Sequence, residues 1–316
     1  MPLNQQFVSK VPPEMDGQRL DQVVASLYPQ YSRSQLQKWI KGGHVWVDDK
    51  IIKPKERLTG GEEIIINAIQ EPQTEFAPED IPLDIVYEDA ALMVLNKPVG
   101  LVVHPAAGNW SGTLVNALLH HNPQLEMLPR AGIVHRLDKD TSGLMVVAKT
   151  LEAHTSLVAA LQIRDVSREY LALVHGNVVA GATIVANLGR HPQDRKRQAV
   201  VEGGKEAITH YRVEERFAHH TLLRVSLETG RTHQIRVHLS SKHMPIVGDQ
   251  VYGGRPRVPR GATETERLAV QSFPRQALHA TRLGLKHPVS GEAMQWEVAM
   301  PEDMATLLTV LRDEQP

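Results

Sequence analysis

The sequence predicts an α+β protein of two units, and three observations lead to this prediction. Short runs of strand-forming residues are separated by helical stretches, without the regular alternation of a doubly wound fold. The chain of 316 residues is longer than the size at which one hydrophobic core usually divides. A stretch that contains Pro72, Pro78 and Pro82, with acidic residues between them, has the composition of a linker.

The first unit is predicted to span residues 16–74 and to contain two helices and short strands. Ser32 is placed to cap the second helix, and Gly42-Gly43 would end it. His44–Val47 and Ile64–Ile66 are expected to be strands, with a tight turn at Asp48-Asp49. The apolar residues at helical spacing are Leu20, Val23, Val24 and Leu27 in the first helix, and Leu36, Trp39 and Ile40 in the second.

Positive side chains outnumber negative ones between residues 33 and 57 of this unit. Only Asp48, Asp49 and Glu56 are acidic there. Two interpretations are open, because such a run is either a solvated face or a surface that binds phosphates. The basic residues are Arg33, Lys38, Lys41, Lys50, Lys53, Lys55 and Arg57.

A linker at residues 75–82 and a second unit at residues 83–316 complete the predicted organisation. Helices at Leu114–His121 and Leu151–Leu161 interrupt the strands of this unit, and the polar segment Arg255–Arg275 is expected to be an exposed loop. The predicted strands are Asp84–Val86, Leu92–Leu95, Leu144–Ala148, Tyr170–Val174, Leu222–Leu227 and Trp296–Val298.

The composition excludes several classes of chemistry. The chain has no cysteine, so it forms no disulfide, has no cysteine nucleophile and has no cysteine-bound zinc, which fits a reducing cytosol. It has no apolar run long enough for a signal peptide or a membrane helix, and a cytoplasmic protein with no membrane contact is expected. The net charge of -1 and the aromatic fraction of 4% give no global indication of nucleic acid binding.

Polar residues form four clusters in the second unit: Asn96-Lys97-Pro98, His135–Gly143, Arg168-Glu169-Tyr170 and Gly230–His238. The second cluster runs directly into an apolar strand, and two interpretations of it are open. Its hydroxyls and Asp138 could bond the backbone of a turn. Alternatively, Asp138 is a carboxylate positioned between cations, which would stay ionised and serve as a nucleophile or a base.

The fourth cluster is compatible with a strand or with a helix, and both would let an arginine project towards a buried acid. A metal site made of His233 and His238 is not expected. Their separation of five residues suits neither the alternation of a strand nor the i, i+4 pair of a helix, and no third ligand is indicated.

The residues of the second cluster resemble the signature loop of the ribosomal-large-subunit class of pseudouridine synthases. The loop is carried by His135-Arg136-Leu137-Asp138 followed by Thr141-Ser142-Gly143, and the other three clusters match further motifs in the family's order. The resemblance covers Leu83–Pro301 and implies a mixed, largely antiparallel sheet. The first unit resembles the αL motif, an RNA-binding module that is often fused to these enzymes.

This resemblance implies roles for particular residues. Asp138 matches the catalytic aspartate, and Tyr170 matches the tyrosine that lies against the target base and takes part in removing the C5 proton. Arg236 matches the arginine that pairs with the aspartate, and we expect a planar, two-pronged contact between them. Arg136 matches a residue that occupies the space left by the flipped base. The residues expected to bind the substrate are Arg136, Lys97, His135 and Thr141.

The implied activity is isomerisation of specific uridines in 23S ribosomal RNA. Extended similarity over Pro129–Lys149 and Asp249–Arg257 indicates the stem-loop at the subunit interface, in free RNA or in a pre-ribosomal particle. The resemblance implies no cofactor and no metal, and a monomer is expected. Three alternatives remain open: the same chemistry on transfer RNA or another ribosomal site, an RNA-binding assembly factor without catalysis, and a hydrolase that uses Asp138 with His135.

Overall fold

The computed structural model describes residues 4–29, 31, 33–69, 76–105, 108–254, 259 and 261–314. The predicted cap at Ser32 and part of the segment Asp249–Arg257 therefore lie outside the described residues. The helices are α1 (Leu20–Leu27), α2 (Arg33–Lys41), α3 (Leu114–His121), α4 (Leu151–Gln162), α5 (Gln234–Ser241), α6 (Glu264–Ser272) and α7 (Glu302–Asp313).

The strands alternate with these helices irregularly, as an α+β fold requires. They are β1 (Asn4–Lys10), β2 (Val45–Val47), β3 (Glu63–Ile69), β4 (Ile85–Glu88), β5 (Leu92–Lys97), β6 (Ser142–Ala148), β7 (Ser167–His175), β8 (Ala182–Val185), β9 (Leu188–Arg190), β10 (Gln198–Val200), β11 (Ile208–Arg216), β12 (His220–Leu227), β13 (Leu278–Lys286) and β14 (Ala293–Glu297).

The first unit is a three-stranded antiparallel sheet in the order β1-β3-β2, with α1 and α2 packed together beside it. The two helices contribute the apolar residues that their spacing predicted, and these form a core separate from that of the larger unit. Asp48 and Asp49 both have left-handed backbones, with φ of 44° and 62°, and make a two-residue turn between Val47 and Lys50. The sheet also includes β1, which precedes the predicted start at Asp16.

The larger unit is built on one sheet in the order β4-β5-β6-β13-β7-β12-β11-β8, with β14 paired to β13. Among its described strands, every pairing is antiparallel except β13 with β6, which is parallel. The mixed, largely antiparallel sheet is therefore confirmed. Because β13 lies between β6 and β7, a strand from late in the chain joins the two halves of the sheet.

Residues 76–82 of the predicted linker are held by the larger unit. The Asn116 side chain donates to the Ala77 carbonyl at 2.7 Å, and the Asn116 carbonyl accepts from the Glu79 backbone at 3.0 Å. Phe76 and Ile81 pack against the main core. Residues 76–82 of the predicted linker are therefore anchored as a strap on α3 of the larger unit.

The expected loop at Arg255–Arg275 is also only partly correct. Glu264–Ser272 is a helix, and Thr263 caps it by accepting a hydrogen bond from the Glu266 backbone. Burial of Glu266 and Val270 holds one face of α6 against the sheet unit. The Thr-x-x-Glu pattern is a helix-start signal that the polar composition of the segment concealed.

Candidate active site

A cleft of about 790 Å³ opens in the larger unit. Three segments line most of it: residues 133–138 before β6, the start of β7 at Arg168 and Tyr170, and residues 227–236 between β12 and α5. The second, third and fourth polar clusters of the sequence therefore meet around one space. The fold achieves this because β13 brings β6 and β7 into one sheet, so their polar ends lie side by side.

Asp138 lies in this cleft with its carboxylate directed away from its own turn. The turn is closed by the backbone alone, since Thr141 N donates to the Asp138 carbonyl at 3.1 Å. The carboxylate instead accepts from Arg236 Nη1 at 2.8 Å through Oδ2. The side chain is 16% exposed, so one oxygen is fixed and the group remains open to the cleft. This is the arrangement expected of a positioned carboxylate, and a purely structural turn does not require it.

Arg236 joins Asp138 to a second carboxylate that the sequence analysis did not assign to the site. Its Nε and Nη2 donate to Asp249 Oδ2 and Oδ1 at 2.7 and 2.9 Å. The two-pronged contact expected with Asp138 is therefore made with Asp249, while Asp138 receives one hydrogen bond from Arg236. The geometry follows from α5, which presents Arg236 between the two acids.

Asp249 stays ionised although its side chain is fully buried. Burial alone would raise the pKa of Asp249, but Arg236 and the backbone N–H groups of Tyr252 and Val251 hold that pKa below its ordinary value. The carboxylate thus serves as a fixed counter-charge that orients the guanidinium. Arg236 remains charged, because the two carboxylates raise its pKa against the effect of burial.

His233 faces the other oxygen of Asp138, with 3.7 Å between Nε2 and Oδ1. It adopts a left-handed backbone, with φ of 56°, immediately before α5. Its Nδ1 lies 2.7 Å from Tyr252 Oη, which accepts from the Gln198 backbone. Burial lowers the pKa of His233, so the ring is neutral at neutral pH. In the tautomer whose Nδ1 accepts from the Tyr252 hydroxyl, the ring proton is on Nε2, the nitrogen that faces Asp138.

Tyr170 lines the cleft from β7 and is 6% exposed. Burial raises the pKa of its hydroxyl, so the ring is a neutral phenol at physiological pH. A neutral aromatic face beside Asp138 suits contact with a planar base. The role of Tyr170 against the target base stays a prediction.

The remaining residues predicted from the signature loop occupy different positions. Arg136 is exposed and lines the cleft. His135 also lines it, but its Nε2 accepts from the Val146 backbone at 3.0 Å, and burial lowers the pKa of His135 to about 3. Thr141 is buried, and its hydroxyl accepts from Gln276 at 3.2 Å.

Lys97 does not line the cleft, which corrects the expectation that it binds substrate. It is fully buried, and its ammonium donates to the carbonyls of Pro98, Leu101 and Lys139 at 2.6, 3.1 and 2.9 Å. Burial lowers the pKa of Lys97 to about 8. Lys97 therefore fixes the backbone of the Asp138 loop from behind. Arg275 acts in parallel by donating to the Asp140 carbonyl at 3.3 Å.

His238 is likewise committed to the fold. Its Nδ1 lies 2.9 Å from the Thr209 hydroxyl, and its Nε2 lies 3.1 Å from the Ala186 carbonyl. In the part of the chain that the structure describes, no three acidic or histidine side chains are grouped to hold a metal ion. Nor does any helix of those residues have the length and apolar character to cross a bilayer.

The seven basic residues predicted between Arg33 and Arg57 of the first unit are all exposed. Arg57 also donates to the Gly17 carbonyl, so it contributes to the fold as well as to the surface charge. Exposure fits both interpretations of this surface, the solvated face and the phosphate-binding face.

Comparisons with known proteins agree with this geometry. Residues 91–241 match the family described as RNA pseudouridylate synthase, and residues 18–64 match the S4 domain. A Pseudomonas aeruginosa protein named ribosomal large subunit pseudouridine synthase D is 56% identical over 310 residues, covering 98% of this chain and 97% of its own. An Escherichia coli K12 protein of the same name is 54% identical over 308 residues, covering 97% and 94%.

Solved structures support the fold. The human RNA pseudouridylate synthase domain containing 4 has a TM-score of 0.56 at 24% identity, covering 72% of this chain and 92% of its own. The human RNA pseudouridylate synthase domain containing 1 has a TM-score of 0.54 at 25% identity, covering 75% and 98%. Because relatives more than half identical cover nearly the whole chain and the family match spans residues 91–241, the chain belongs to the family of RNA pseudouridine synthases, isomerases that act on RNA.

Proposed function

We propose that this enzyme isomerises specific uridines of 23S ribosomal RNA, in the stem-loop at the subunit interface, with Asp138 as the essential carboxylate. The observation that carries the proposal is the Asp138 carboxylate, held by Arg236 in a cleft beside the buried ring of Tyr170. The names of the relatives support large-subunit ribosomal RNA as the substrate. Such a substrate places the enzyme in the cytoplasm, where it would act as a monomer on free RNA or on a pre-ribosomal particle.

The reaction begins with extrusion of the target nucleotide from its stack, which costs a few kcal/mol and least in a loop. Asp138 then promotes cleavage of the C1′–N1 bond, by attack at C1′ or by removal of a sugar proton to give a glycal. The uracil rotates within the cleft and forms a new bond to C1′ through C5. Tyr170 lies against the ring and takes part in removing the C5 proton. Arg236 holds the Asp138 carboxylate in position and balances its charge when the RNA covers the cleft and excludes water.

Recognition is divided between the two units in this proposal. Arg136 fills the space that the extruded base leaves, while His135 and Thr141 shape the cleft wall. The first unit, residues 16–74, binds phosphates outside the cleft through its exposed basic side chains. The linker at residues 75–82 connects it to the catalytic unit at residues 83–316.

The hydrolase alternative is weakened by His135. In that alternative His135 would act as the base beside Asp138, which requires a free ring nitrogen with a pKa near neutrality. Nε2 of His135 instead accepts a hydrogen bond from the Val146 backbone, and burial lowers the pKa of His135 to about 3. An assembly factor without catalysis gives no reason to bury Asp249 beneath Arg236. Transfer RNA remains a competing substrate, because the same chemistry serves either RNA.

The test is carbodiimide mapping of pseudouridine in total RNA from cells that lack the gene and are complemented with wild type or Asp138→Asn. We expect wild type to restore pseudouridine in the large-subunit stem-loop and the variant to restore none. RNA affinity should be largely retained by the variant, because binding is spread over many phosphate contacts. Restoration only in transfer RNA would contradict the substrate. Turnover of the variant within about tenfold of wild type would contradict the role of Asp138.

A further inference from the structure

Three arginines are buried among the described residues, and one of them differs from the others. Arg236 is neutralised by Asp138 and Asp249, and Arg275 by Asp303. Arg168 is 7% exposed, and no described carboxylate lies within ion-pair distance of it. A buried charge without a counter-charge is costly to maintain, so its retention in the cleft calls for an anion that arrives with the substrate.

The hydrogen-bonding groups of Arg168 are also largely unused. Its Nη2 reaches the Glu228 carbonyl at a long 3.4 Å, and Nε is buried with no acceptor among the described residues. The Glu228 carboxylate is committed elsewhere, to Arg164 and to His210. Donors of Arg168 are therefore available to a ligand without breaking an existing ion pair.

The guanidinium of Arg168 lies on the same side of the cleft as Tyr170. Arg168 and Tyr170 are two residues apart on β7, so their side chains project from the same face of the strand, and both line the cleft. A Cβ on Gly230 would come within 2.7 Å of Arg168 Nη1, so the guanidinium lies directly against the backbone of the opposite wall. Arg130 lines the same cleft but is exposed, and it is better placed for a backbone phosphate.

The reaction itself produces an anion at this position. When the C1′–N1 bond breaks, its electron pair leaves with uracil, whether Asp138 has formed an ester at C1′ or has taken the 2′ proton. The negative charge spreads over N1, O2 and O4 of the released base. The base loses this negative charge when C5 attacks C1′, because the electron pair then forms the new C5–C1′ bond. A cation whose charge is balanced only while the uracil anion exists lowers the activation barrier for bond cleavage. It does so without strengthening the binding of the uridine substrate.

We propose that Arg168 is a further catalytic residue, whose guanidinium stabilises the uracil anion between cleavage and reattachment. The proposal rests on the role given to Asp138, since the anion forms only if the glycosidic bond is broken. It does not depend on which RNA carries the uridine. The competing source of negative charge is a phosphate of the extruded nucleotide, which would require Arg168 for binding and not for bond cleavage.

The test compares Arg168→Met with wild type on paired transcripts that contain uridine or 5-fluorouridine. Fluorine withdraws electrons and makes the released base a weaker base, so it needs less stabilisation. Digestion and mass spectrometry measure the single-turnover rate at which the nucleoside with the original C1′–N1 bond disappears. Filter binding measures RNA affinity. We expect a loss of roughly 100- to 1,000-fold on uridine RNA, a clearly smaller loss on 5-fluorouridine RNA, and little change in affinity. Arg282→Met is the matched control, because Arg282 lies on the neighbouring β13, pairs with Glu297 and does not line the cleft.

Two further variants keep the test decisive if Arg168→Met fails to fold. Arg168→Lys retains the charge but not the planar donors, and Gly230→Ala displaces the guanidinium without removing it. Both should show the same dependence on the leaving base at a smaller amplitude. Equal losses on the two RNAs would overturn the proposal, as would weaker binding with an unchanged cleavage rate, which would indicate a phosphate contact. The transcripts include large-subunit and transfer RNA, so activity on the latter alone would contradict the substrate proposal and leave the Arg168 comparison valid.

Discussion

Arg236 has to satisfy two carboxylates at once, and this requirement decides which substitutions it tolerates. Its Nε–Nη2 edge faces Asp249, while Nη1 reaches Asp138. A lysine ammonium is compact and carries no fixed fork of donors, so it cannot repeat both contacts. Either the buried Asp249 or the reacting Asp138 would then lose its partner.

We therefore predict that Arg236→Lys lowers both activity and stability. Leaving one partner of a buried ion pair uncompensated costs about 3 kcal/mol or more. Urea unfolding measures the stability, and single-turnover isomerisation measures the activity. Arg282→Lys, at a partly exposed pair with Glu297, should change the free energy of unfolding by about 1 kcal/mol at most. An Arg236→Lys protein with wild-type stability and rate would show that the shared guanidinium is unnecessary.

The residues that could be predicted from the sequence were those that act through a local motif. Asp138 and Tyr170 lie in short polar clusters next to apolar strands, so the motif and the position in the fold coincide. Asp249 escaped assignment because it contacts Arg236 across a loop and carries no local sign of burial. Lys97 was assigned to the substrate because a lysine in a motif suggests a ligand, whereas its partners are three backbone carbonyls.

Helices and strands, like single residues, were predicted where the signal in the sequence is local. α3 and β6 were predicted well because each contains a continuous run of buried, largely apolar residues whose length suits its own structure. β13 was not predicted, although it is central to the sheet. Its burial depends on β6 and β7, which pair with it from distant parts of the chain, as well as on the following strand β14. No local pattern reports such pairing.

The parallel contact of β6 with β13 depends on Gly143. Its φ is +113°, and a Cβ there would lie 2.2 Å from the Ala280 carbonyl oxygen. We predict that Gly143→Ala destabilises the protein by at least about 2 kcal/mol and reduces activity, since β6 begins directly after the Asp138 loop. Thermal unfolding and turnover measure the two effects.

Gly176→Ala is the matched control for this prediction. Gly176 also has a positive φ, of +92°, but nothing lies within 4 Å of its added Cβ. It therefore reports the backbone strain alone, and the difference between the variants reports the strand contact. Equal destabilisation by both substitutions would mean that the close approach to Ala280 relaxes at no cost.

At the scale of the whole molecule, buried histidines make stability depend on pH. Burial lowers the pKa of His220 to about 3 and that of His279 to about 4, from an ordinary value of 6.5. Between pH 6.5 and these lower pKa values, the two histidines therefore bind protons in the unfolded chain but not in the folded chain. We predict that the free energy of unfolding falls as pH drops from 6.5 to 5, by up to about 1.4 kcal/mol per pH unit for each group.

Urea unfolding at several pH values measures this slope. His243→Gln provides the control, because His243 is exposed and its removal should leave the slope unchanged. Removing His220 as His220→Gln should make the slope shallower. A free energy of unfolding that is constant from pH 6.5 to 5 would contradict the prediction.

The two units should differ in how they contribute to RNA affinity. Removing the first unit by cutting within residues 70–75 keeps the strap at residues 76–82 on α3, and we expect the catalytic unit to fold and to isomerise some uridines. Each phosphate contact adds roughly 0.7 to 0.9 to the salt dependence of log affinity, so the full-length chain should show the steeper slope. The residual slope should come from Arg190, Arg195, Lys196 and Arg197.

Filter binding at several salt concentrations measures both slopes. A full-length variant with Lys38, Lys41, Lys50 and Lys53 changed to Gln separates the charges from the mere presence of the unit. We expect its slope to approach that of the truncated chain. Equal slopes for all three proteins would contradict phosphate binding and indicate that the basic residues form a solvated face.

The position of β13 in the sheet also governs the order in which a nascent chain can fold. The N-terminal unit has its own core within residues 11–68 and is complete early in synthesis. The half-sheets β4-β5-β6 and β7-β12-β11-β8 both present an open edge until Leu278–Lys286 has left the ribosome. Unpaired edges are sites of aggregation. A chain released before Lys286 should therefore carry a folded first unit attached to an aggregation-prone remainder.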